Sequence, residues 1–487
     1  MGLRKYCIAL SCGLVLTACG GGSSGGSEKQ SVSPPEQPTI ETSPPGGIGS
    51  SLIFDTNSDG YNDIVFHPMA KPNESFNSME IYLNDGTGEF KLKQNAFEMS
   101  PLKEENYQAS MAKINANQDD LIDIITVEAT LGYDPEKDFS MRIHLYLAND
   151  DGTFRDATDN IENNKYQSGW ADLEIADFDN DGLEDFIVDG GSITCNFESN
   201  SENDNEADCE AGTIYLNDGQ GNFTPSNVTI VESSNGFSHQ FSSLRYGALS
   251  AGNSHVYQVY GLLAGDINND EKIDLISHIY STNSEVPSFI NQSTPGNLKF
   301  KVLYSDHIRT TGGALLDVNG DGFKDWITSA SISANNEDIA SNTDTVPIHV
   351  LINNGEGIFS EDKSYLSVNQ RGVQHARAWI VDDFDNDEFD DLLIPDHGND
   401  WQPYPGFANT LLMNREDTME DITYAALSDK KSYTHNAAVG DVNNDGYVDI
   451  FFNNTLAVGA GHVEAIPEKR LWINQGGLKF NESEQEL

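Results

Sequence analysis

Basic residues are scarce in this 487-residue chain: 27 lysines and arginines stand against 78 aspartates and glutamates, for a formal net charge of −51. So acidic a surface repels nucleic acid and anionic lipid, which excludes both as partners, and attracts divalent cations. Cysteine is scarce too. Of five, Cys7, Cys12 and Cys19 lie in the first 19 residues, leaving Cys195 and Cys209. No apolar run reaches the roughly 20 residues that a membrane-spanning helix needs. Nucleophile elbows, HExxH helices, phosphate loops and paired zinc cysteines are all missing, and the eleven histidines show no metal-ligand spacing. These absences argue against the hydrolases, nucleotide enzymes and zinc proteins built on those motifs. Hydrophobic residues make up 37% of the chain, low for a globular protein but enough for a core.

What is present begins at the N-terminus. Arg4 and Lys5 precede the apolar run YCIALSCGLVL, which ends at Leu16, Thr17, Ala18 and Cys19. A core this short is a secretory signal rather than a span. The LTAC ending resembles the lipobox of bacterial lipoproteins. The resemblance implies that residues 1–18 are removed, that Cys19 carries the lipid, and that Gly20, not being Asp, suits delivery to an outer membrane. Membrane contact is then through the lipid anchor alone. Residues 19–50 are Gly/Ser-rich and then Pro-rich, a flexible tether. In an exported chain, Cys195 and Cys209, which flank NFESNSENDNEAD, are expected to form a disulfide stabilising by roughly 3 kcal/mol. Two free thiols or a metal pair are the alternatives.

One nonapeptide recurs seven times at intervals of 51 to 89 residues: DTNSDGYND (55–63), NANQDDLID (115–123), DFDNDGLED (177–185), DINNDEKID (266–274), DVNGDGFKD (317–325), DFDNDEFDD (383–391) and DVNNDGYVD (441–449). A short apolar run precedes each copy, such as SLIF or AWIV. A β-rich run follows, such as IVFH, WITS or IFFN. A third run leads into a hairpin signal, as in IYLNDGTGEF and LYLANDDGTF. Blade four offers the weaker FINQSTPGNLKF, and blade six offers TLLMNREDTMED, which lacks the glycines. Each repeat is therefore predicted to be four antiparallel strands, with the acidic loop between the first and second and the tight hairpin between the third and fourth.

Seven such units predict an all-β, seven-bladed β-propeller over residues 51–487. The chain resembles the FG-GAP and VCBS repeat family, which includes the headpiece propeller of integrin alpha subunits. The FG and GAP tags are worn, with GALLD (313–317) and NAAVGD (436–441) among the closest remnants.

The loops read as calcium sites. Calcium takes six to eight oxygens at flexible geometry. Positions one, three, five and nine supply carboxylate or amide oxygens, position seven a carbonyl, and glycine at six permits the turn. The side-chain ligands would be Asp55, Asn57, Asp59 and Asp63 in blade one, and Asn115, Asn117, Asp119 and Asp123 in blade two. Blade three offers Asp177, Asp179, Asp181 and Asp185, and blade four Asp266, Asn268, Asp270 and Asp274. Blade five offers Asp317, Asn319, Asp321 and Asp325, blade six Asp383, Asp385, Asp387 and Asp391, and blade seven Asp441, Asn443, Asp445 and Asp449. Up to seven structural calcium ions follow, with blade three among the tightest and blade two the weakest.

The opposite face receives the longer, irregular connections, including 67–78, 231–260, 331–347 and 395–409. Variable loops on a rigid scaffold are where binding usually resides. Tyr107, Trp170, Tyr257, Arg309, His375, Arg377 and His435 stand just before first strands, and with Trp401 they are expected to form an aromatic and cationic rim. The expected function is non-enzymatic binding or adhesion at the cell envelope, with a protein or glycan partner. The alternative is a lyase-like carbohydrate enzyme at the channel mouth.

Overall fold

The computed structural model describes residues 50–487 apart from segments 68–78, 99–105, 131–140, 167–171, 190–209, 233–237, 242–243, 246–258, 280–284, 306–309, 331–344, 369, 399–405, 428–429, 455–468 and 486. The expected signal (1–18), the expected tether apart from residue 50, Cys195 and Cys209 lie outside the described residues. No described helix is long and apolar enough to cross a membrane.

Seven sheets follow one another along the chain, and each contains four antiparallel strands paired in sequence order. Blade three is representative: Leu173–Ala176, Asp185–Asp189, Glu210–Asn217 and Phe223–Pro225. Its acidic loop joins the first strand to the second, as predicted from the sequence. The described residues of the second strands are buried, as in DIVF (Asp63–Phe66) and DWITS (Asp325–Ser329). That explains their unbroken apolar runs, since a strand covered on both faces has no polar side to alternate with.

The core is not one mass but seven, one between each pair of adjacent blades. Phe178, Ile187, Leu262 and Phe289 pack between blades three and four, for example, and Ile64, Phe66, Phe451 and Leu471 between seven and one. The ring therefore closes, and it does so without strand exchange, because blade seven keeps four strands from the C-terminal segment. Polar clasps reinforce that junction. The Asn62 amide donates to the Asp441 carbonyl at 2.9 Å, and Gln485 bonds both the amide and the carbonyl of Phe90. Lys469 ion-pairs with Glu80 at 2.7 Å and sits over the rings of Phe66 and Tyr82.

One expectation needs correction. Segment 231–260 does not run wholly as an irregular loop. Val228–Glu232 and Ser238–Phe241 form a hairpin, and the first of these strands lies parallel to Leu298–Ser305 on the outer edge of blade four. This makes blade four a six-stranded sheet and accounts for the longest spacing between loops.

Candidate metal loops and a histidine cluster

Local hydrogen bonding dictates the shape of the acidic loops. In blade three the Asp177 carboxylate accepts the amides of Asp181 at 3.0 Å and Gly182 at 2.8 Å, while Asp181 accepts the amide of Leu183 at 2.9 Å. These are the side-chain-to-backbone bonds that Asp and Asn favour in turns. They require left-handed backbone at two places. Position six is left-handed as expected, with Gly182 at φ 91°, but position four is too, with Asn180 at 62°. Asp120, Glu271 and Glu388 hold the same conformation at position six with φ of 65°, 66° and 73°, at a cost of roughly 1 to 2 kcal/mol each.

Position nine does more than offer a ligand. Asp185 is buried, and its two oxygens accept the amide of Phe178 at 3.0 Å and that of Asn217 at 2.9 Å. The same pair of bonds forms on Asp63, Asp123, Asp274, Asp325, Asp391 and Asp449 at 2.7 to 3.2 Å. This aspartate thus bolts the loop to the hairpin of its own blade. In the metal-free chain, burial pushes Asp185 and Asp391 up to about 8, Asp274 and Asp449 to about 7, and Asp123 and Asp325 to about 6.

The asparagine that opens most hairpins supplies the bond between blades. Asn291 donates to the Phe178 carbonyl at 3.0 Å, Asn353 to Ile267 at 2.7 Å and Asn474 to Phe384 at 2.9 Å, in each case reaching the loop of the preceding blade. The sequence marks these asparagines only as turn formers.

The donor set suits a hard cation, because every candidate ligand side chain, at positions one, three, five and nine, offers oxygen. In blade three, carboxylate oxygens of Asp177, Asp179 and Asp185 come within 4.8 Å of one another, as do those of Asp383, Asp385 and Asp391 in blade six. Blade two fits less well. Asn115 has one acceptor oxygen, which takes the amide of Gln118 at 2.9 Å, and the Asn117 amide donates to Asp119 at 2.8 Å.

Of the eight rim candidates, the structure brings three together. His375 and Arg377 precede the first strand of blade six (Ile380–Asp382), and His435 lies at the start of that of blade seven (Thr434–Gly440). Between them stands His397, just after the second strand of blade six. The His397 ring lies 4.3 Å from His375, 4.6 Å from His435 and 4.6 Å from Tyr433, centroid to centroid. Arg377 Nη1 approaches His375 Nε2 at 3.4 Å. Strand direction places this cluster on the face opposite the acidic loops.

Asp396 organises its backbone. Fully buried, it accepts the amides of Gln374 at 2.7 Å, His375 at 2.9 Å and Gly398 at 2.7 Å. Burial, with the neighbouring His375, Arg377 and His435, holds His397 well below the usual histidine range. Histidines scattered in the sequence thus converge here. His397 and Asp396 were missed because their only signal is a place in the irregular segment 395–409. Trp170, Tyr257, Arg309 and Trp401 lie outside the described residues. Tyr107 falls in the strand Asn106–Ile114, where its side chain is not described.

On the same face, blade three holds a group of buried carboxyls. The Ser110 hydroxyl donates to Asp172, the Asp172 amide donates to Asp189 at 2.9 Å, and Glu174 beside them is 2% exposed. Burial, with Asp172 and Asp189 nearby, raises Glu174 well above the ordinary range.

These loops and their blade frame agree with a match to the family described as FG-GAP-like repeat, which covers residues 383–452, from the acidic loop of blade six into the second strand of blade seven. That segment therefore matches the FG-GAP-like repeat, and it lies within a seven-bladed β-propeller arrangement. No curated relative matches. Among solved structures, the chain is similar to rhamnogalacturonan lyase YesW at 12% identity and a TM-score of 0.37, covering 85% of this chain and 74% of that one. An ancestral GH74 enzyme is 11% identical with a TM-score of 0.43, over 92% of this chain and 48% of that one. Trypanosoma rangeli sialidase is 7% identical with a TM-score of 0.38, over 81% and 57% respectively.

Proposed function

We propose that the protein is a calcium-stiffened, lipid-anchored propeller of the cell envelope that binds an acidic glycan, without turnover, at the cluster shared by blades six and seven. One observation carries this reading. In a chain of net charge −51, Arg377 and three histidines gather beside Tyr433 on one face of two adjacent blades. His375 and Arg377 are the partly exposed members, and a guanidinium beside imidazoles suits a carboxylate ligand. The acidic loops on the other face act as structural cation sites that set the spacing of the blades.

A second reading is favoured by the same cluster: eliminative cleavage of an acidic polysaccharide, which needs a base close to a charge-neutralising cation. One experiment separates the two. A uronate polymer is titrated against the wild type and Arg377→Ala while the ultraviolet absorbance of an unsaturated product is followed. Binding that weakens about tenfold or more in the variant, the loss of a charge-assisted hydrogen bond, supports the binder if absorbance stays flat. Rising absorbance that Arg377→Ala abolishes supports the lyase. Equal affinity of both proteins, without turnover, removes the cluster from either role.

A further inference from the structure

The blade six loop carries its own cation. Arg415 follows the asparagine that opens the hairpin of this blade, where the other six blades have Asp85, Asn149, Asp218, Gln292, Asn354 and Gln475. Its guanidinium turns back into the acidic loop. Nη1 bonds Asp385 Oδ2 at 2.8 Å and Asp387 Oδ2 at 3.0 Å, and Nε faces Glu420 at 3.5 Å. The two loop aspartates are positions three and five, half of the side-chain set a calcium ion would use.

We propose that Arg415 replaces the divalent ion in blade six, so that the charge of this loop is partly offset, and the loop held, by the protein itself. The closeness of Asp383, Asp385 and Asp391 does not argue otherwise, since a cation of either kind draws carboxylates together. A calcium ion bound there must displace a guanidinium that already makes two charge-assisted bonds in a partly buried site, with side-chain exposures of 30% for Arg415 and 14% for Asp385. The hairpin keeps the same turn as other blades. Glu416 takes φ 66° where blades one, three, five and seven place Gly86, Gly219, Gly355 and Gly476. The hairpin thus keeps its turn although its sequence has lost the glycine.

The proposal rests on the calcium reading of the other loops, and the experiment separates the two. Calcium stoichiometry is measured by calorimetry on wild type and Arg415→Met, with melting recorded in chelator and in calcium. The expected result is one additional ion in the variant, a lower melting temperature than wild type in chelator, and closure of that gap by calcium. Equal stoichiometry overturns the proposal. Should Arg415→Met not fold, anomalous scattering from wild-type crystals soaked in terbium decides. Density in the blade three loop and none in blade six supports the proposal. Density bonded to Asp383 and Asp385 in blade six overturns this proposal alone, whereas density in no loop overturns it together with the calcium reading.

Discussion

Blades three and six open their acidic loops with the same five residues, DFDND, yet the structure gives them different counter-charges. In blade three no basic side chain pairs with Asp177, Asp179 or Asp181 among the described residues. The hairpin of the next blade instead offers the Gly296 amide to Asp179 at 2.6 Å. In blade six, Arg415 bonds two of the corresponding carboxylates. A local motif therefore sets the shape of the loop, but a residue 30 positions away in sequence sets how its charge is balanced.

Chelation should break the pair apart most strongly. A loop held by calcium at a concentration a hundredfold above its dissociation constant gains about 2.7 kcal/mol, which under the proposal blade three should lose on chelation and blade six should not. Hydrogen exchange will register this as lost protection at the amides of Asp181, Gly182 and Leu183, with those of Asp387, Glu388 and Phe389 unchanged. Equal loss in both loops would erase the distinction.

Removing the bolt tests what the two loops share. Asp185→Ala and Asp391→Ala each strand two buried backbone amides, at a cost of roughly 2 to 6 kcal/mol. In chelator the two variants should be destabilised alike. In calcium, Asp185→Ala should be the worse, because it also loses a ligand. Denaturant unfolding in both conditions measures the difference.

The smallest effect concerns position six. Glu388→Gly relieves left-handed strain in blade six and should stabilise by roughly 1 kcal/mol, while Gly182→Glu should cost blade three a similar amount. Nothing lies within 4 Å of a Cβ built on Gly182, so no steric clash adds to the backbone strain. Urea midpoints that do not move in opposite directions would show that the two turns differ in more than this residue.

Much of the fold was legible because its signals are local. The nonapeptides, the runs beside them and the hairpin asparagines each act within ten residues, and seven copies make the pattern hard to mistake. The hairpin added to blade four escaped notice because its strands join an edge formed some 70 residues later, at Leu298–Ser305. The double duty of Asp185 and its six counterparts was hidden for a related reason. A metal ligand and an acceptor of buried amides are the same residue type at the same spacing.

The sequence by itself determined the number of blades, the position of the acidic loops and the conformation at their glycines. These follow from short-range sterics and from side chains bonding to their own backbone. Tertiary structure alone decided which charges meet. His375, His397 and His435 become neighbours only because the second strand of blade six and the first strands of blades six and seven end on one face. Arg415 reaches Asp385 only because the hairpin folds back over the loop. The approach of such charges depends on strand register and blade packing, and the spacing of residues along the chain does not contain either.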